Sequence, residues 1–351
     1  YYDYRTKKWY ESCPNGHYKD DKYCCNYKKK KYLNINKLPS NSFFVDVRPS
    51  KKYLDKTSGD LYVYDCEQMG TLYFNCKKGN PGKVYKSIQL CQGWGLSFGS
   101  NCVIDDLVVK NTGNQAIANM VDENAKGCTL QNCEVYFCGD TYISFSNSEH
   151  RGMVGGECSG FHGPGARYYN NYFYGSREGG FTVELGWTGA LTGENKNLGD
   201  VRANGNVFDK CDGGIGVICF TESAKGVDMS NIMIDNNYFR EIGCAHDANS
   251  MGDDVHSLGV LHIWDHSGDV NMSQMVFSNN LILYTDDRVI NLEQTKRKKM
   301  MIAKNNTVIL KKKSGMHFLR VTDRKWHETY YDTVAKAKPY LGMFGKVKWV
   351  D

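Results

Sequence analysis

Proline is scarce in this chain of 351 residues, with 6 in all. A residue without a backbone N–H interrupts a strand ladder, so its scarcity suits strands that must donate along their length. No apolar run approaches the ~18 residues of a membrane span, and none is expected to cross one. Charge of one sign is also weak: 44 Lys and Arg against 39 Asp and Glu leave +5. The lysine clusters Lys28 to Lys31, Lys296 to Lys299 (with Arg297) and Lys311 to Lys313 read as solvated faces. Without an aromatic-basic stripe on a recognisable module, nucleic acid is not an expected partner. Helical signals are missing too, since no amphipathic run of 10 to 15 residues precedes the last thirty. The 41% apolar and 24% charged residues are those of a globular chain and exclude a disordered or collagen-like one.

The 14 cysteines lack the CxxC pairing of a zinc site. Five lie at the N-terminal side (Cys13, Cys24, Cys25, Cys66, Cys76). The rest, from Cys91 to Cys244, read as small buried hydrophobes. The chain opens on Tyr1, which reads as a processed or excerpted product with any signal peptide outside it.

What is abundant is glycine, at 36, and asparagine, at 30. The asparagines recur in one grammar: Tyr169-Asn170-Asn171-Tyr172-Phe173, Asp235-Asn236-Asn237-Tyr238-Phe239, Ser278-Asn279-Asn280-Leu281-Ile282 and Lys304-Asn305-Asn306-Thr307-Val308. Asn204-Gly205-Asn206-Val207-Phe208 is a variant and Gln131-Asn132-Cys133-Glu134-Val135 a looser match. The second asparagines, from Asn171 to Asn306, are 35, 31, 43 and 26 residues apart, a solenoid period with loops of variable length. Short stretches of period two accompany them: Gly180 to Leu185, Ile215 to Phe220, Ile232 to Asp235, Val260 to Trp264, Val289 to Leu292 and Met316 to Val321. Coils of two or three short strands, each stacked on the same strand of the next coil, make parallel sheets without crossover helices. Asparagine suits the bends because it tolerates the left-handed conformation and its amides bond along a stack.

With these features the sequence resembles the right-handed parallel β-helix superfamily, the pectate-lyase-like fold of many carbohydrate-active enzymes, over about residues 85 to 322. The implied architecture is an all-β, single-stranded solenoid at 85–325, with a Cys/Tyr/Lys-rich N-terminal segment and hairpin at 1–84 and a short cap at 326–351. The coil between Asn132 and Asn171 is expected to be irregular. Tyr53-Leu54-Asp55-Lys56-Thr57-Ser58-Gly59-Asp60-Leu61-Tyr62-Val63-Tyr64 reads as a hairpin about Gly59. It looks like the hairpin that often precedes the helix in β-helix glycosidases, and the outline is similar to lacto-N-biosidase-type enzymes. Residues 1 to 45 read as a cap, a partner-binding segment or a poorly ordered lead. The fold implies an extracellular or cell-surface location.

In such a fold the substrate lies along an outer sheet, which directs attention to outward strand residues and long loops. The insertion between Asn237 and Asn280 holds the densest acid and histidine cluster, including Glu241, His246, Asp247, Asp253, Asp254, His256, His262, Asp265, His266 and Asp269 around Trp264. Glycoside hydrolysis needs two carboxyl groups, ~5 Å apart for retention or ~6.5–9.5 Å for inversion. Asp247 with Asp254, or Asp254 with Asp265, are the candidate pairs. Trp264 offers a stacking face, and Glu184, Glu222, Glu293, His256 and His262 are candidate substrate contacts. Glu184 has an alternative role as the ion-pair partner of Arg177 or Arg202.

No metal site is expected. His262 and His266 are metal-spaced only on a helix, and Asp253-Asp254 would admit calcium but lack a D-x-D-x-D-G loop. A polysaccharide lyase, which residues such as His150, Arg151, His162, Arg167 and Arg177 would allow as carboxylate partners or base, is the second expectation, because an acidic cluster repels a polyuronate. A non-catalytic glycan-binding β-helix is the third.

Overall fold

A computed structural model of the chain describes residues 95–351 except at 98, 113–114, 119–125, 139–140, 145–150, 155–157, 161–162, 177–178, 186–196, 220–225, 244–257, 266–269, 286–287, 294–300, 313–316, 324 and 326. Before residue 95 it describes Lys83 and four short strands. The chain forms two compact units, one of residues 91–141, 155–246 and 254–351, the other of 1–90, 142–154 and 247–253.

The larger unit is a parallel β-helix. One coil runs through strands Arg202–Asn204, Val207–Asp209 and Gly213–Cys219, and the next through Met233–Asp235, Tyr238–Arg240 and Gly259–Asp265. Corresponding strands pair in parallel, with Ala203 beside Ile234, Phe208 beside Phe239 and Val217 beside Ile263. The first, second and third strands of the coils thereby build sheets of seven, eight and nine strands. The expected strands differ from those observed by a residue or two at their ends; Val289 to Leu292, for example, becomes Arg288–Glu293.

The bend between first and second strands explains the asparagine grammar. Its first residue has a positive φ in every coil: Asp106 (55°), Asn132 (52°), Asn170 (56°), Gly205 (72°), Asn236 (53°), Asn279 (52°) and Asn305 (58°). Most L-residues are disfavoured there by roughly 1–2 kcal/mol. The second residue turns inward and is buried at Asn171, Asn206, Asn237, Asn280 and Asn306. The Oδ1 of Asn206 accepts from the backbone N–H of Asn171 at 3.0 Å and from its Nδ2 at 2.9 Å. Asn237 serves Asn206, Asn280 serves Asn237 and Asn306 serves Asn280 in the same way. Each ladder Nδ2 also donates to a carbonyl of the preceding coil, as Asn237 does to Ala203 and Asn280 to Ile234.

Beside the ladder runs an apolar stack. Phe173 and Phe208 have ring centroids 5.1 Å apart, and Phe208 and Phe239 4.6 Å. Burying each such ring is worth about 1.5–3 kcal/mol. The body cysteines Cys128, Cys133, Cys138, Cys158, Cys211 and Cys219 are buried, and Cys102 is half-buried. Cys91 and Cys244 lie outside the described residues.

The irregular coil closes normally at Glu134–Cys138 but continues to only two residues of third strand, Ser159–Gly160. The intervening excursion carries the paired strands Thr141–Ser144 and Arg151–Val154. The segment read as a hairpin about Gly59 differs in its partner: Leu61–Tyr64 pairs antiparallel with the downstream Leu72–Asn75, and residues 53 to 60 lie outside the described ones. At the other end Glu328–Tyr331 adds antiparallel to His317–Thr322. A helix follows at Val334–Leu341, and Gly345–Val350 joins the eight-stranded sheet beside Asn306–Lys311.

Asn237→Ala strips two acceptor contacts from Asn206 in a buried site, so it should cost about 2–4 kcal/mol in urea unfolding. Asn236→Gly, which keeps the left-handed bend, should change stability by less than about 0.5 kcal/mol. Equal losses in the two variants would remove the ladder from its central role.

Candidate functional site

The nine-stranded sheet has the longest strands, and its outward face collects most of the described candidates. Along it Phe181, Ile215, Leu261, Ile290 and Leu319 align on one row, with Val183, Val217, Ile263, Leu292 and Val321 two residues on. Both rows are buried apolar residues facing the core. Side chains alternate across a strand, so the intervening rows face away. One is Thr182, Gly216, His262, Asn291, Arg320 and Tyr330; the next is Glu184, Ile218, Trp264 and Glu293.

The structure brings Glu184, His262, Trp264 and Glu293 onto one face; alternation with apolar neighbours had marked Glu184 as outward. It differs from an open groove in burial: Glu184 is 7% exposed, His262 2%, Asn291 1%, Glu293 8% and Arg320 6%. Trp264 is half-buried. Charges placed in so little water require partners. Glu293 has several: its Oε2 lies 3.0 Å from His262 Nε2, and its Oε1 accepts from Arg320 at 2.6 Å and from Asn291 at 3.3 Å. Arg320 also donates to Glu328, which accepts from the Tyr330 hydroxyl. Burial alone would raise the Glu293 pKa; attraction to His262 and its hydrogen bond, attraction to Arg320 and the Asn291 hydrogen bond bring it down to about 2.

His262 holds Glu293 through one ring nitrogen, while its buried Nδ1 has no hydrogen-bond partner. Its ring lies 6.1 Å from that of Trp264. This carboxylate-held imidazole beside an indole is the most chemically equipped part of the face. Arg320, Asn291, Glu328 and Tyr330 were missed among the candidates. Arg320 and Asn291 had a signal, since each alternates with apolar residues within an expected strand.

Asp265 departs from expectation. It ends its strand on the core-facing parity, level with Cys219, and is fully buried, so it is not a loop carboxylate meeting solvent. Arg202, offered as a partner for Glu184, instead pairs with Asp200 at 3.0 Å and bonds Asn231. Glu222, Asp247, Asp254 and His256 lie outside the described residues, as do Asp253, His266 and Arg177. The insertion that carries Asp247, Asp254 and His256 leaves the strand Tyr238–Arg240 and leads into Gly259–Asp265, which carries His262 and Trp264.

A cavity of about 550 Å³ lies elsewhere, against the last asparagine bend, with Thr307, Val334, Lys338, Met343 and Lys346 in its wall. It has neither carboxylate nor aromatic ring in its lining, which is the wrong chemistry for glycan cleavage. Comparison with family models, curated proteins and solved structures returned no match, so the geometry alone carries the functional argument.

Because the folded Glu293 pKa of about 2 lies below its ordinary 4.5, the ion pairs stabilise fully above about pH 4.5 and lose that contribution as pH falls towards 2. Between pH 5 and 2 the unsubstituted chain should lose up to about 3 kcal/mol more unfolding free energy than Glu293→Gln. Parallel losses in urea titrations would contradict the pairing.

Proposed function

We propose that this protein is a glycan-degrading glycoside hydrolase whose substrate meets the outward face of the nine-stranded sheet. The observation that carries the reading is the row holding Glu184, Trp264 and Glu293 in register, on strands one of which follows the acidic insertion in sequence. Trp264, the half-buried member of this row, supplies a face for a sugar ring. Glu293 is ionised and bonded through both oxygens, so it positions His262 rather than serving as the acid. Glu184 stands three strands from Glu293, about 14 Å along the sheet, beyond the separation of a catalytic pair. The proposed pair remains Asp247 and Asp254, in the insertion that precedes the strand Gly259–Asp265 in sequence. No cofactor is required by such a pair. The proposal places the chain in the right-handed pectate-lyase-like group and outside the cell, where polysaccharide is met.

The free Nδ1 of His262 favours a second reading, a lyase in which a carboxylate-held histidine abstracts the proton alpha to a uronate carboxylate. Against it, Arg320 is already bonded to Glu293 and Glu328 and so is committed elsewhere than to a substrate carboxylate.

On neutral oligosaccharides the protein should release new reducing ends, with no rise in the ultraviolet absorbance of an unsaturated uronate on uronate polymers. Asp247→Asn and Asp254→Asn should each lower kcat by at least about 100-fold. Undiminished turnover in both would sink the pair, and a rise in absorbance abolished by His262→Asn would establish the lyase instead. Trp264→Ala should raise KM by about tenfold with a smaller change in kcat, since stacking holds the sugar without taking part in bond cleavage.

A further inference from the structure

Two buried thiols lie at the ends of the excursion between Glu134–Cys138 and Ser159–Gly160. The Sγ atoms of Cys138 and Cys158 are 2.9 Å apart, and both residues are at most 1% exposed. The Cys138 thiol donates to Cys158 Sγ at this distance, and a disulfide needs about 2.05 Å, a further movement of about 0.9 Å. The two residues are 20 apart in sequence and flank the strand pair Thr141–Ser144 and Arg151–Val154. A bond here joins both ends of that excursion where they enter and leave the coil.

We propose that Cys138 and Cys158 are oxidised to a disulfide as the chain folds, closing the root of this excursion. The oxidant is a low-molecular-weight disulfide such as oxidised glutathione. One protein thiolate attacks it, forming a mixed disulfide and releasing one glutathione thiolate. The second protein thiolate then attacks the protein sulfur of the mixed disulfide and releases the other. Two protein thiols lose two protons and two electrons, and two glutathione thiols are produced. The bond must form before the core closes, because burial pushes the Cys158 thiol well up and leaves little thiolate in the folded chain. Cys211 also contacts Cys158 and is the competing partner. It lies outside the 139–157 excursion, so a bond to it would not close this root.

The test refolds the full chain in a glutathione redox buffer or with excess reductant, alkylates it under denaturing conditions and maps its peptides. A Cys138–Cys158 cross-linked peptide is expected from the oxidised sample only, and Cys211→Ser should retain it. Oxidised chain should melt about 5 °C above Cys138→Ser in the same buffer, and that gap should close in reductant. Alkylation of both Cys138 and Cys158 in the oxidised sample, or linkage of Cys158 to Cys211, would overturn the proposal. If Cys138→Ser does not fold, the peptide map of the unsubstituted chain decides alone.

Discussion

Each coil of this protein buries a sharp turn of main chain, and the backbone N–H at that turn points along the stack rather than to water. The asparagine amide answers this constraint. Its oxygen accepts the buried N–H of the preceding coil, and its nitrogen returns two donors to neighbouring acceptors. An unsatisfied donor in that position would cost a sizeable part of the stability of a domain. Because the ladder fixes the position of each bend, it also fixes the register of the strands that follow. The aromatic stack and the outward rows of the nine-stranded sheet inherit their alignment from it.

The fold was legible because its local rule is repeated. Asn170-Asn171 and Asn236-Asn237 each encode a left-handed residue followed by an inward amide, and the flanking alternation marks the strands. The outward position of Glu184 followed from parity alone, and the same parity holds for Trp264 and Glu293. Their burial did not follow from it, because parity says which way a side chain leaves a strand and nothing about what lies above it. Asp265 shows the complementary failure: it is one residue beyond Trp264, and that single step carries it to the core-facing side. The pairing of Arg320 with Glu293 spans 27 residues and depends on strand stacking, so composition near either residue offers no trace of it.

The polar cluster on the outward face is a compromise between desolvation and attraction. Glu293 would be costly in an apolar setting, and Arg320 equally so, but together with His262, Asn291 and Glu328 they leave little charge uncompensated. One consequence is rigidity around the imidazole. A histidine held at one nitrogen has a fixed ring plane and directs its other nitrogen to a single place, which is the property a proton-transfer site needs.

The amide ladder also has a direction. Every asparagine oxygen receives from the coil before it, so the series needs an acceptor at its far end to serve the last member. Asn306 finds it in the main-chain carbonyl of Phe344, which takes both its backbone N–H and its Nδ2. The C-terminal segment thus acts as a chain terminator: it supplies the oxygen that another repeat would have supplied, without presenting a further amide to be served. Directly after this carbonyl Gly345 rejoins the sheet beside Asn306, so the capping oxygen and the last parallel strand are delivered by consecutive residues.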